Sequence, residues 1–151
     1  MKRVALCGGR LGEKIFSLIS DKMINAEITP DKNRYYDIAV ICPDSKIEIN
    51  KFGLCILLSD IKGQNPPAFI MDKDVITCGM SSTDSVTLSS ITENNATICI
   101  QRRIRAFNNW ILPCEYNASF QTPCEPSAIL CAALLLIILK YPNDNSVVIE
   151  I

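Results

Sequence analysis

The stretch that decides the fold is Asp74–Ile104, DVITCGMSSTDSVTLSSITENNATICIQRRI. Ile98 and Ile100 alternate with polar neighbours, which is typical of a strand with one exposed face. Residues 92–95, Thr-Glu-Asn-Asn, are types that favour a turn. The stretch therefore predicts a small antiparallel meander of three strands, Val75–Cys78, Ser85–Ile91 and Thr97–Ile104.

The part of the chain before this stretch predicts an α/β unit. Three runs are almost continuously apolar, as in parallel strands that are covered on both faces. An amphipathic helix is expected from about Gly12 to Met23. The segment Ser45–Lys51 is too short for a full crossover helix, so a single helical turn and an antiparallel pairing both stay open there. The three strands are Lys2–Cys7, Tyr36–Cys42 and Phe52–Leu58, and a shorter one is expected at Ala68–Met71.

The part after the stretch predicts a hairpin, a buried helix and a last strand. Phe107–Trp110 has the composition of a hairpin turn. The apolar run Ala128–Leu139 is twelve residues long, whereas a membrane span needs about 20. Its helix begins either with a capping box at Thr122–Glu125 or with Cys124 or Glu125 as the cap and Pro126 first. The final strand is Ser146–Ile151.

These elements together predict a fold of the α/β class, a three-layer Rossmann-like sheet with an attached small antiparallel β meander. A chain of 151 residues is the size of one domain. Within that single domain, 1–151, we expect an α/β half at 1–72, the meander at 73–121, and a helix plus the final strand at 122–151.

Composition excludes several classes of function. The chain has no histidine, so catalytic triads and metal sites that use histidine are excluded. The net charge of −1 and the pI of about 5.4 predict no broad basic face, and hence no nucleic-acid partner.

The start of the chain and the cysteines bear on location. The N-terminal MKRVALCGGR lacks the apolar core of a signal peptide, so we expect a cytoplasmic protein with reduced thiols. The eight cysteines then behave mainly as small apolar residues. Core positions are expected for Cys7, Cys42, Cys55, Cys78 and Cys99.

A glycine-rich turn between a strand and a helix is the first candidate site. Its candidate cofactor-binding residues are Gly8, Gly9, Arg10, Gly12 and Lys14. Such a turn can direct backbone N–H groups and a helix dipole at a phosphate. The segment matches neither G-x-G-x-x-G nor the phosphate-loop pattern. A plain tight turn and a phosphate site with Arg10 and Lys14 remain the two interpretations.

Two further groups of residues are candidates. Ser81, Ser82 and Asp84, with Thr83, form either a polar ligand-binding loop or an inter-strand turn. Arg102 lies on an apolar strand face, where it would clamp a carboxylate or phosphate or guard an exposed edge.

Three later cysteines are weaker candidates for a metal site or a reactive thiol. The spacing of Cys114, Cys124 and Cys131 fits no zinc pattern, so no metal is expected. Cys124 stands near a helix N-terminus, which would make its thiol reactive by lowering its pKa.

The second half resembles the rear part of the ATP-binding middle domain of Mur ligases. The shared features are VITCG at 75–79, the strands through Ile104, and the alanine-containing helix at 127–135. A similar VITCG…SSI…QR pattern occurs in small proteins of low-GC Gram-positive bacteria. The resemblance covers about sixty residues and implies a related fold.

The departures from that family imply the loss of its activity. The ligases carry Gly-Lys-Thr where this chain has GEKI at 12–15. They place His and Asn where this chain has Cys124-Glu125-Pro126, and no ligase C-terminal domain is seen. The resemblance thus implies a degenerate phosphate loop and speaks against ATP-dependent amide ligation.

We therefore expect a non-catalytic binding or regulatory module of the bacterial cytoplasm, with no cofactor and no catalytic residue. The alternative is an enzyme that binds a nucleotide or phosphometabolite at the Gly8–Lys14 turn. A third hypothesis is a structural subunit whose sheet edge pairs with a copy of itself. Expected partners are a homo-oligomer or another protein, or a phosphate-bearing small molecule; no membrane is expected.

Overall fold

A computed structural model describes residues 1–43, 49–58 and 74–151 of the chain. These residues form an α/β fold with two helices, a nine-stranded mixed sheet and a separate two-stranded sheet. The expected strand at Ala68–Met71 and most of Ser45–Lys51 lie outside the described residues. In chain order the elements are β1 (Arg3–Cys7), α1 (Gly9–Ile19), β2 (Asn25–Glu27), β3 (Tyr36–Ile41), β4 (Phe52–Leu58), β5 (Asp74–Cys78), β6 (Val86–Ile91), β7 (Asn95–Ile100), β8 (Ile104–Ala106), β9 (Asn109–Ile111), β10 (Cys114–Ser119), α2 (Pro126–Lys140) and β11 (Ile149–Glu150).

The large sheet has the order β11-β10-β7-β6-β5-β4-β3-β1-β2. The pairings from β2 through β6 are parallel, which confirms the parallel strands expected in the first half. Strand β7 runs antiparallel to both of its neighbours, β6 and β10. The meander is therefore continuous with the large sheet, and β7 is its reversed strand.

Both helices pack against the same face of the sheet. Ile15 and Ile19 of α1 belong to one buried cluster with α2 and with side chains from β1 through β11. Helix α2 is apolar all the way round, and its residues 128–138 are all buried. Such a helix needs cover on every side, which the sheet and α1 provide. No helix among the described residues is long and apolar enough to cross a membrane.

A second, smaller cluster lies on the opposite face of β1, β3 and β4. Ala5, Cys7, Ala39 and Cys55 are fully buried there, and Ile49 packs with them. These strands are thus covered on both faces, which explains why their sequences lack alternation.

The strand expected at Thr97–Ile104 ends early, at Ile100. In register, Ile100 lies opposite Val86 and Cys114, the first residues of β6 and β10. Beyond Ile100 the chain has no strand on either side to pair with, so it turns away and resumes as β8. Strand β5 also differs from expectation, because it pairs with β6 in parallel, through Cys78 and Val86.

The hairpin expected near Phe107 is confirmed. Ala106 pairs with Asn109, which leaves a two-residue loop of Phe107 and Asn108. Both loop residues have positive φ, 51° and 65°, as a type I′ turn requires. Asparagine tolerates this conformation well, whereas phenylalanine is an unusual choice.

Helix boundaries agree with one expectation and differ from another. Helix α2 begins with Glu125 as the cap and Pro126 first, which is one of the two arrangements left open, and it ends at Lys140. Helix α1 begins at Gly9, three residues before the expected start. It ends at Ile19, four residues before the expected end at Met23.

We expect Leu135→Ala to destabilise the protein strongly. Leu135 is fully buried between the sheet and the rest of the core, and such truncations cost about 2–5 kcal/mol. The measurement is the free energy of unfolding from urea titration. Leu139→Ala, at a half-buried position of the same helix, is the matched control and should cost clearly less; equal losses would contradict the packing described here.

Candidate functional site

The turn between β1 and α1 consists of a single residue. Strand β1 ends at Cys7 and α1 begins at Gly9, so only Gly8 links them. Gly8 has φ 136° and ψ 97°, a conformation that side-chain-bearing residues rarely adopt. Its carbonyl already accepts the first helical hydrogen bond, from Gly12 N at 2.7 Å. This turn is too short to wrap around a phosphate as a loop of several residues would.

Lys14, a candidate phosphate-binding residue, is paired with a carboxylate. Its Nζ lies 2.5 Å from Oε1 of Glu125, the cap residue of α2. The hydrogen bond from Lys14 and the charges of Lys14 and Arg10 lower the pKa of Glu125, against a smaller opposing effect of burial. The ion pair therefore joins the middle of α1 to the beginning of α2, and Arg10 is exposed in the first turn of α1.

The Ser81–Asp84 segment and Arg102 come together, although the bonded residues Thr83 and Arg102 are 19 positions apart. Arg102 Nη2 donates to the carbonyl of Thr83 at 3.0 Å. Gln101 Nε2 donates to the carbonyls of Ser81 and Asp84, at 3.2 and 2.8 Å. Arg102 lies in the bend after β7 rather than on a strand face, so the expected strand position is wrong.

The polar groups of this turn are largely used within it. The buried Asp84 carboxylate accepts from Ser81 N at 3.0 Å, and the hydroxyls of Ser81 and Thr83 lie 2.8 Å apart. Ser82 is exposed. These bonds close the short connection between β5 and β6, which favours the turn interpretation over a ligand-binding loop.

The cysteines mostly fill the core. Cys7, Cys42, Cys55 and Cys78 are buried as expected, whereas Cys99 is only half-buried. Burial raises the pKa of the Cys7 and Cys55 thiols to about 12, so both are protonated and unreactive at neutral pH.

Cysteines of the second half include one more buried thiol. Cys131 is fully buried, and burial raises its pKa well above the ordinary value. Cys124 is half-buried just before α2. Within the described ranges no three cysteine or carboxylate side chains are placed to hold a metal ion.

A hydrogen-bonded group around Tyr36 was not predicted. The Tyr36 hydroxyl donates to Glu27 Oε2 at 2.5 Å and accepts from Asp31 N at 2.8 Å. Glu27 also accepts from Arg34 Nη1 at 2.7 Å. Burial, and then the neighbouring Glu27, raise the pKa of Tyr36. Because each member bonds to another, the group fastens the β2–β3 connection and offers no free reactive atom.

A polar groove of about 810 Å³ lies between the end of α1 and the ends of β7, β10 and β11. Hydroxyls and amides such as those of Ser17, Asn94 and Gln121 line it, together with Asp21 and Glu150. It can hold a polar molecule by hydrogen bonds. Its lining comes from separate parts of the chain, so no local sequence pattern could have revealed it.

No protein-family model matches the chain, and no curated protein matches it either.

We expect Gly8→Ala to destabilise the protein by about 1–3 kcal/mol, the usual cost of a residue in a disfavoured backbone region. Gly12→Ala is the matched control. A Cβ there would meet Leu6 at 3.8 Å, an ordinary contact, and alanine is favoured over glycine in helices by up to about 1 kcal/mol. Unfolding in urea measures both variants; equal effects of the two changes would contradict the role of Gly8.

We also expect Glu125→Gln to lower the melting temperature at pH 7 but not in acid. The fold lowers the Glu125 pKa, so the ion pair stabilises the protein above the ordinary carboxyl pKa. That stabilisation is lost as pH falls through the lowered pKa. The difference in melting temperature between wild type and variant should therefore shrink on acidification. Glu13→Gln, at an exposed position in α1, is the control and should show no comparable pH dependence.

Proposed function

We propose that this protein is a non-catalytic binding or regulatory module of the bacterial cytoplasm, with a Rossmann-like fold of Mur-ligase-like ancestry. The observation that carries the proposal is the pairing of Lys14 with Glu125 at 2.5 Å. A phosphate-binding lysine must present its ammonium group to the nucleotide. Here that group instead holds α1 against α2.

The geometry of the β1–α1 turn supports the same proposal. A phosphate loop surrounds its ligand with successive backbone N–H groups, and a one-residue link cannot do so. The hydroxyl that would bind Mg²⁺ in such a loop is replaced by Ile15, which is fully buried. The turn thus has a structural task, which is to direct α1 onto the sheet.

One observation favours the alternative, an enzyme that binds a nucleotide or phosphometabolite. Arg10 is exposed at the beginning of α1 and acts electrostatically on Glu125. A phosphate at this position would gain from Arg10 and from the helix N-terminus, yet it would also face the negative charge of Glu125. That repulsion is why we rank this function second.

Self-pairing through a sheet edge receives less support. The edge strands β2 and β11 have three and two residues. Short edges offer few free backbone groups and are a common protection against pairing. A protein partner would therefore bind through side chains.

We expect no thermal stabilisation by ATP, GTP, NAD or UDP-sugars, with or without Mg²⁺. A ligand at 100 times its Kd adds about 2.7 kcal/mol, which would raise the melting temperature of a protein this size by several degrees. We also expect no phosphate release from ATP. A shift that is lost in Arg10→Ala would overturn the proposal and establish the alternative.

A further inference from the structure

The outer face of the β8–β9 hairpin gathers cations around the single tryptophan of the chain. Arg105 lies directly opposite Trp110 in the strand register, so their side chains share this face. Arg103 Cζ lies 4.7 Å from the centre of the Trp110 ring, and Arg105 Cζ lies 6.0 Å from it. At the turn of the hairpin, Lys2 Nζ lies 4.0 Å from the centre of the Phe107 ring. We call Lys2, Arg103, Arg105, Trp110 and Leu112 the basic ribbon face.

The basic ribbon face is open to solvent. Trp110 is 47% exposed and Leu112 is 58% exposed. The inner face of the hairpin is different, because Ile104 and Ile111 are buried in the main core. The hairpin is thus anchored on one side and free on the other, which makes its outer face a fixed platform.

Among the described residues, no carboxylate forms an ion pair with the cations of this face. Ion pairs within residues 1–43, 49–58 and 74–151 involve Lys14, Lys22 and Arg34, and none involves Lys2, Arg103 or Arg105. Arg105 instead donates to the amide oxygen of Asn108, at 3.1 Å. The net charge of −1 for the whole chain predicts no nucleic-acid partner. That sum does not reveal the local excess of positive charge on this face.

Asn143 holds the outer strand of the hairpin in place. Its Nδ2 donates to the Trp110 carbonyl at 2.7 Å, and its Oδ1 accepts from Leu112 N at 3.1 Å. One side-chain amide thereby occupies two backbone groups that would otherwise be free at this edge. Added strands are therefore disfavoured here, and recognition must use the side chains of the face.

We propose that the basic ribbon face binds single-stranded nucleic acid. Arginine side chains hold phosphates through paired hydrogen bonds, and an exposed aromatic ring stacks on unpaired bases. In this arrangement a base lies on Trp110 while Arg103 and Arg105 contact the flanking phosphates. The proposal goes beyond the non-catalytic role and does not rest on it. The basic ribbon face adjoins the start of β1 through Lys2, whereas the glycine turn follows the end of that strand.

Single strands fit this face better than the other anionic partners. A duplex conceals its base faces, so Trp110 could contribute little to its binding. An anionic membrane would need a larger apolar surface than Trp110 and Leu112 provide, because binding scales with buried apolar area. An acidic protein segment would pair with the arginines but would not in general present a flat ring to Trp110.

The test uses the full chain and its only tryptophan as the reporter. Titration with dT12 or U12 at low salt should quench Trp110 fluorescence, with a Kd of about 10⁻⁵ to 10⁻⁴ M. The two phosphate contacts of Arg103 and Arg105 predict a slope of log affinity against log salt of about −1.4. The Trp110→Leu variant lacks this reporter, so its binding is measured by the fluorescence anisotropy of a labelled oligonucleotide. We expect it to bind about tenfold more weakly than the wild type.

Matched variants separate this site from general charge. Arg103→Gln/Arg105→Gln should weaken binding at least about tenfold, whereas Lys32→Gln/Lys51→Gln removes the same charge from exposed positions elsewhere and should change it by less than about twofold. Arg105→Gln alone, at an exposed position, keeps the test interpretable should Trp110→Leu fail to fold.

Three results would overturn the proposal. The first is equal binding of dT12, duplex DNA and polyphosphate, since charge alone would then explain it. The second is a blue shift of Trp110 emission with phosphatidylserine vesicles while neither oligonucleotide binds. The third is unchanged affinity in the arginine variants. None of these depends on whether ATP binds at the β1–α1 turn, so failure here is distinguishable from failure of the proposed function.

Discussion

The burial of α2 is the constraint on which the rest of the structure depends. All eleven residues from 128 to 138 are buried, and an apolar helix of this kind is stable in water only when every side is covered. The sheet covers one side, through β6, β7 and β11, and α1 covers another. A sheet made only of the parallel strands next to β1 would not reach β6, β7 and β11, the strands that contact α2. The strands β6, β7, β10 and β11 supply the apolar surface that covers the rest of α2. The meander is therefore part of the main core.

The same constraint explains the use of polar residues at the helix ends. Lys14 of α1 pairs with Glu125 at the start of α2, and Lys140 at its end donates to the carbonyl of Lys22 at 2.5 Å. Two cations thus bond across the α1–α2 contact, one at the start of α2 and one at its end. A lysine used in this way is withdrawn from ligand chemistry. The structure therefore links the packing of α2 to the pairing of Lys14 with a carboxylate.

Local patterns in the sequence predicted most of the elements but only part of their pairing. The runs of β1, β3 and β4 and the apolar helix α2 could be predicted because their signals lie within the segments themselves. The end of β7 could not, since it is decided by where β6 and β10 begin. The Lys14–Glu125 pair joins residues 111 positions apart, and no spacing rule reaches that distance. The candidate residues Ser81 to Asp84 and Arg102 were chosen separately, and only the fold shows that they bond to each other.

The β8–β9 hairpin shows how a surface can be free to recognise a ligand in so compact a domain. A hairpin with three residues in each strand is not stable on its own. Ile104 and Ile111 bind it to the core, and Asn143 bonds its outer edge, so its stability is secured from the inner side. The exposed outer residues Arg103, Arg105 and Trp110 then contribute little to the stability of the fold. Because these side chains are exposed, the hairpin can present them to a ligand, which is the arrangement that the proposed single-strand site requires.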